Sequence, residues 1–150
     1  FITPDNPQIL YDNALKNNIR RERIIVHDAI RSDVPKYLLL SVLSVFFIKP
    51  VFSKAASSPT KLGELLSMGI PIISNTGVGD MDLTISIENN TGILIRNFSP
   101  KEYDYAISHV RQLTSISPDK IREYALRNLS LQKGIEKYYL IYQKLVNDEL

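Results

Sequence analysis

Ser57, Ser58, Thr60, Lys61 and Glu64 bring three hydroxyls, an ammonium group and a carboxylate into one short stretch of the chain. Pro59 sits among them, and Gly69-Ile70-Pro71-Ile72-Ile73 follows. The pattern predicts a helix with Ser58 as its N-cap and Pro59 at the first helical position, where a missing N–H costs nothing. Lys61 then falls in the first turn, at the positive end of the helix dipole. That placement is unfavourable by about 0.3–1 kcal/mol for a bare helix. A bound anion reverses the sign. Free backbone N–H groups, hydroxyls and a lysine converging on one point have the chemistry of a phosphate site. Glu64, three residues beyond Lys61, shares its helix face and can accept hydrogen bonds from the hydroxyls of a phosphate-bearing ligand. Taken alone, such a Lys–Glu pair is more commonly a solvated pair worth about 0.2–0.5 kcal/mol. The Ser-Pro start and the helix's place in the chain favour ligand contact.

The surrounding elements decide where that helix points. Ile9, Leu10, Ala14 and Leu15 follow a helical spacing to about Ile19, and Ile24-Ile25-Val26 is a β-branched run that predicts a buried strand. Phe1-Ile2-Thr3 reads as the end of another strand. Ser32 and Asp33 can cap a helix to about Leu43, and Val45-Phe46-Phe47-Ile48 is the next strand. A loop from 49 to 58 leads into the Pro59–Met68 helix, with Gly69 as its stop. Strands are expected at Ile70–Ile73 and Gly92–Ile95, separated by a Gly77-Val78-Gly79-Asp80 turn and a short piece from Met81 to Ile85. The remainder is helical: a Ser99-x-x-Glu102 capping box opens a helix to about Leu113, Ser117-Pro118 opens another, and Ser130 a last one. Ile135, Tyr138, Tyr139, Tyr142 and Leu145 mark one face of that last helix. It reads as a core face with Lys133, Lys137 and Lys144 on its polar back, an interfacial face being the sharper alternative.

Apolar strands alternating with helices imply an α/β fold, a Rossmann-like parallel sheet with helices on both faces. Ligands of such sheets bind beyond the carboxyl ends of the strands. The loop from 49 to 58 leaves such an end, so position and chemistry agree. His27 and Arg31 follow the expected Ile24–Val26 strand and border the same crevice, although a lone histidine is usually structural. Gly77 and Gly79 lack the third glycine of a dinucleotide fingerprint and read as a turn at the crevice edge that can face a ligand. Gly63, inside the helix at a cost of about 1 kcal/mol, reads as a close helix–sheet contact.

The chain has 150 residues, enough for one domain burying about 70% of its unfolded surface. With 18 basic and 16 acidic residues the net charge is +2, too balanced to point to nucleic acid. There is no cysteine, which excludes disulfides and thiol catalysis and suits a reducing compartment; a cytoplasmic location is expected. No His, Asp and Glu cluster has metal-ligand spacing, so no metal is expected.

The segment from about Ser32 to Ile95 resembles the C-terminal half of group 1 (family 4) glycosyltransferases, whose fold is GT-B. Val45-Phe46-Phe47-Ile48, Glu64, Gly69-Ile70-Pro71-Ile72-Ile73, Gly77-Val78-Gly79 and Thr91-Gly92-Ile93-Leu94-Ile95 follow the family's order. Ser-Pro-x-Lys-x-x-Glu is similar to one sub-type. The resemblance implies that residues 1–150 are the C-terminal nucleotide-sugar-binding domain of a longer enzyme, lacking the acceptor half and therefore inactive alone. It implies transfer of a sugar, with retention, from a nucleotide diphosphate sugar to a saccharide or lipid-linked acceptor, without a cofactor. Ser57, Ser58, Thr60 and Lys61 would hold the diphosphate and Glu64 the ribose. His27, Arg31, Gly77 and Gly79 would border the base or sugar. A lipid-linked acceptor would bring the full-length protein to a membrane periphery.

One departure bears on activity. The family carries a first Glu eight residues before the second, and position 56 here is Ala. The catalytic residues are therefore unassigned. A glycosyltransferase-like binding domain without catalysis and a GT-B nucleotide-sugar 2-epimerase stand as alternatives.

Overall fold

The buried strand pair at the centre of the larger compact unit follows directly from two apolar runs. The computed structural model describes residues 1–147 and divides into two compact units, 1–40 and 41–150. In the second unit, β1 (Ser44–Val45), β2 (Ile72–Asn75) and β3 (Gly92–Ile95) form a parallel sheet in that order, with Ser44 opposite Ile72 and Ile72 opposite Gly92. All four residues of β2 are buried, as a central parallel strand requires. The helices of this unit are α3 (Thr60–Ser67), α4 (Met81–Thr84), α5 (Pro100–Ser108), α6 (Val110–Thr114), α7 (Pro118–Leu129) and α8 (Leu131–Val146); α1 (Pro7–Lys16) and α2 (Val34–Leu38) belong to the first unit. The mixed α/β class expected from the alternating pattern is present, in a sheet of three strands.

Ile73, Ile93 and Ile95 pack with Ala106 of α5 and Leu113 of α6. Strand alternation turns Ile72, also fully buried, to the opposite face. The apolar stripe Leu62, Leu65 and Leu66 of α3 is buried, and α3 packs against α7, which buries Ile121 and Ala125. The helix stop at Gly69 is a Schellman closure: Ile70 N–H donates to Leu65 O at 3.0 Å and Gly69 N–H to Leu66 O at 3.0 Å.

Several expected elements differ. The Val45–Ile48 strand is a ladder only through Val45, and Phe46 N–H still reaches Ile73 O at 3.2 Å. Beyond it the β2 side chains replace the backbone. Ser74 Oγ donates to Phe46 O at 2.7 Å, Asn75 Oδ1 accepts from Ile48 N–H at 2.8 Å, and Asn75 Nδ2 donates to Ile48 O at 2.8 Å. The capping box does not form either. Ser99 is the N-cap of α5, but its side chain caps nothing. Glu102 turns instead to Arg96, accepting from its N–H at 2.8 Å and pairing with its guanidinium at 3.3 Å. The helix expected to run to Leu113 breaks at His109 into α5 and α6. Ser130 does cap α8, accepting from Lys133 N–H at 3.3 Å. None of the residues of α8 is buried, so its apolar face is not the core face expected of it. No helix among the described residues is long and apolar enough to cross a membrane.

The first unit is sparse. α1 (Pro7–Lys16) is capped by Asn6, and α2 (Val34–Leu38) stops five residues short of the expected end. So short a helix gains little from propagation, and Leu39 and Leu40 are left exposed. The expected strands at 1–3 and 24–26 reduce to a single parallel bridge between Ile2 and His27. A β-branched run becomes a strand only where a partner ladder exists, and Ile25 is 68% exposed.

Candidate functional site

The site is built where β1 and β2 end. The chain leaves β1 through Phe46 and Ile48, runs through a 3₁₀ turn at Phe52–Lys54, and enters α3 at Thr60. Helix α3 starts one residue later than expected. Pro59, with extended backbone (φ −69°, ψ 121°), occupies the N-cap position, and no side chain caps it. Ser58 is therefore outside the helix, because Pro59 cannot supply a capping side chain and holds the residue before it extended. Leu62 N–H is satisfied by Pro59 O at 2.9 Å. The Thr60 and Lys61 N–H groups have no partner among the described residues, which is the open helix start an anion requires.

Lys61 does not pair with Glu64. No ion pair joins them among the described residues, so the solvated i, i+3 pair is not formed. Instead the Lys61 ammonium stands 5.0 Å from the centre of the Phe46 ring. This cation–π contact, worth about 0.5–1 kcal/mol at an exposed site, holds the lysine over the carboxyl end of β1. Glu64 is exposed on the same helix.

The turn Gly77–Asp80 closes on this loop. A Cβ at position 79 would stand 2.1 Å from Ser57 O, and Gly79 has φ +50°. Its N–H donates to Lys54 O at 3.0 Å. Gly77 N–H donates to Asp82 Oδ2 at 2.9 Å, and a Cβ there would stand 3.2 Å from Pro50 Cβ. Both glycine amides are thus spent within the protein. The two glycines wall the loop rather than offer it donors. Ser57 N–H is likewise used by Lys54 O at 3.2 Å. What remains open at this end are the Thr60 and Lys61 amides, the Ser57, Ser58 and Thr60 hydroxyls and the Lys61 ammonium. Ala56 lies exposed on the loop.

Gly63 does not make the expected close contact, since a Cβ there would meet nothing within 4 Å. Gly63→Ala should therefore raise stability by about 1 kcal/mol, from helix propensity alone, in a urea unfolding curve. An unchanged or lower midpoint would show that the glycine is needed for something other than packing.

His27 and Arg31 belong to the first unit. The His27 backbone is committed to the bridge with Ile2, and its ring stacks on Tyr37 with centroids 5.1 Å apart. Four residues at the site escaped the sequence reading. Phe46 carries the lysine, Ser74 and Asn75 hold the end of β1, and Asp80 places a buried Oδ1 with no hydrogen-bond partner among the described residues. The polar pair Ser74-Asn75, directly after Ile72-Ile73 in a buried strand, was the available signal. No three His, Asp or Glu side chains converge as metal ligands among the described residues.

The chain matches no protein-family model, and neither the curated proteins nor the solved structures contain a match. The glycosyltransferase resemblance rests on the residues that carry it.

Proposed function

We propose that the 41–150 unit binds a nucleotide diphosphate sugar at the start of α3, as the donor half of a retaining GT-B glycosyltransferase. The observation that carries this reading is the uncapped N-terminus of α3 at the carboxyl edge of a parallel sheet, with Lys61 held beside it on the Phe46 ring. The Thr60 and Lys61 amides, with the Ser58 and Thr60 hydroxyls, would take the diphosphate oxygens. Lys61 would neutralise the charge that grows on the leaving diphosphate as the sugar departs. Glu64 would accept from the ribose hydroxyls. Ser57 contributes its hydroxyl only, its amide being spent.

Calorimetric titration with UDP and GDP tests this. Lys61→Ala should weaken binding at least about tenfold, the loss of one charge-assisted contact to phosphate. Glu64→Ala should weaken UDP binding several-fold while leaving inorganic pyrophosphate binding unchanged. If neither nucleotide binds, or both variants bind as the parent does, the site is misassigned.

Position 56 favours a second reading, a glycosyltransferase-like binding domain without catalysis. Ala56 brings no carboxylate to the exposed loop where the resembled family carries one. Full-length protein that binds nucleotide sugar yet releases no nucleotide diphosphate with any acceptor would favour that reading.

A further inference from the structure

At the opposite edge of the sheet, the chain segment before β3 faces α7 across a cleft of about 360 Å³. The loop Glu88–Asn90 forms one wall. Lys120, Glu123, Tyr124, Arg127 and Asn128 form the other. Their spacing of three and four residues places them on one stripe of α7. Both walls belong to the second unit, and the cleft shares no residue with the start of α3.

We propose that this cleft binds an uncharged saccharide unit. Its wall carries two cations, Lys120 and Arg127, and two anions, Glu88 and Glu123, so its net charge is zero. The Arg127–Glu123 ion pair cancels one of each. A phosphate entering here would face the Glu88 carboxylate, which stays ionised below the usual carboxylate range through hydrogen bonds from its own backbone N–H and from Ser86. A bare cation would face Lys120. A hydroxyl both donates and accepts, so it can use either kind of partner. The lining is dominated by amides, carboxylates and cations, whereas pockets for apolar ligands are lined by hydrophobic side chains. A ligand dense in hydroxyls suits it.

The cleft is also preorganised, which lowers the cost of binding. The Asn89 amide nitrogen donates to Leu83 O at 3.1 Å and to Thr84 O at 3.3 Å, and lies 3.4 Å from the Tyr124 hydroxyl, tying the two walls together. Asn90 holds the loop's tight turn with φ +59°. Thr91 Oγ1, fully buried, donates to Thr84 O at 2.6 Å and anchors the loop's end. Asn128 donates back to Tyr124 O at 2.9 Å, which leaves its amide oxygen as an acceptor.

The test is amide NMR of the 150-residue chain titrated with glucose, N-acetylglucosamine and maltose. At least one should shift residues 88–90 and 120–128 in a saturable manner. Glu88→Gln and Lys120→Met, both at exposed positions, should each weaken that binding about three- to tenfold. Lys61→Ala should leave it unchanged, which separates this site from the nucleotide site. The proposal fails if none of the three sugars shifts these residues, if the shifts centre on residues 57–64, or if inorganic phosphate produces the same shifts more tightly than the sugars do.

Discussion

Gly92→Ala should unfold the central strand pair. Gly92 opens β3 with φ +150°, and a Cβ there would stand 1.9 Å from Ile72 O and 2.8 Å from Ile72 C. These are backbone atoms of the neighbouring strand, paired with Gly92 in register, so no rotamer change can relieve the clash. The strand pair can accept the methyl group only by separating at this rung. That would break the Ile72 N–H bond to Thr91 O at 2.9 Å and loosen the packing of Ile93 and Ile95. A cost of more than about 4 kcal/mol is expected, the scale reserved for gross core disruption. Set against a typical net stability of about 5–15 kcal/mol, this is a quarter to most of the total. Circular dichroism melting should show a fall of roughly 10 °C or more, or no cooperative transition. A melting point within a few degrees of the parent would mean that β3 does not pair with β2 in this register.

The same residue shows how a sequence motif divides between fold and function. Thr91-Gly92 is part of the pattern that resembles the glycosyltransferases, yet both residues are explained by the fold. Thr91 bonds the 84–86 segment through its hydroxyl, accepting from Ser86 N–H at 3.0 Å, and Gly92 makes room for Ile72. Gly79 behaves likewise against Ser57. Such patterns mark where backbones come close, yet the sequence showed only a turn at Gly79 and a strand at Gly92, and the close contact it suggested at Gly63 is absent. What Gly79 and Gly92 avoid was not legible, because the obstacle lies far away in the chain.

The central elements were readable because their signals are local. Ile72-Ile73 and Ile93-Leu94-Ile95 are strongly β-forming, Gly69 closes α3, and Pro118 opens α7 at N1. The errors fall where a second element decides. Glu102 has a helix-capping position but finds a stronger partner in Arg96. Ile24-Ile25-Val26 has strand composition but only one bridge. The last helix has a core-like stripe but, among the described residues, contacts only α7 appreciably. At the site, Ser-Pro and Lys61 marked where α3 begins, but the expected Ser58 cap does not form and the Phe46 ring under the lysine was not legible. Strand residues carry no periodicity that says which side chain a distant helix will meet.

Asn75→Ala should damage both fold and site, and by different routes. Asn75 is 2% exposed and makes three side-chain bonds: Ile48 N–H to its Oδ1 at 2.8 Å, its Nδ2 to Ile48 O at 2.8 Å and to Thr76 O at 2.9 Å. Removing the amide strands the Ile48 backbone groups, a loss of about 2–4 kcal/mol. Asn75→Asp should be worse than its near-identical shape suggests. It keeps the acceptor for Ile48 N–H but sets a carboxylate oxygen against the Ile48 carbonyl in a buried place. The functional consequence follows from where Ile48 leads. It carries the chain from Phe46, which supports Lys61, into the loop that delivers α3. Releasing Ile48 frees the end of β1, so UDP binding should weaken in Asn75→Ala although every proposed ligand-contacting residue remains. Hydrogen exchange separates this route from Lys61→Ala. In Asn75→Ala the Ile48 amide should lose protection ahead of the β2–β3 amides, whereas in Lys61→Ala it should keep it. If Ile48 stays protected in Asn75→Ala, the side-chain clamp does not hold the end of β1, and the link between this buried amide and the ligand site is broken.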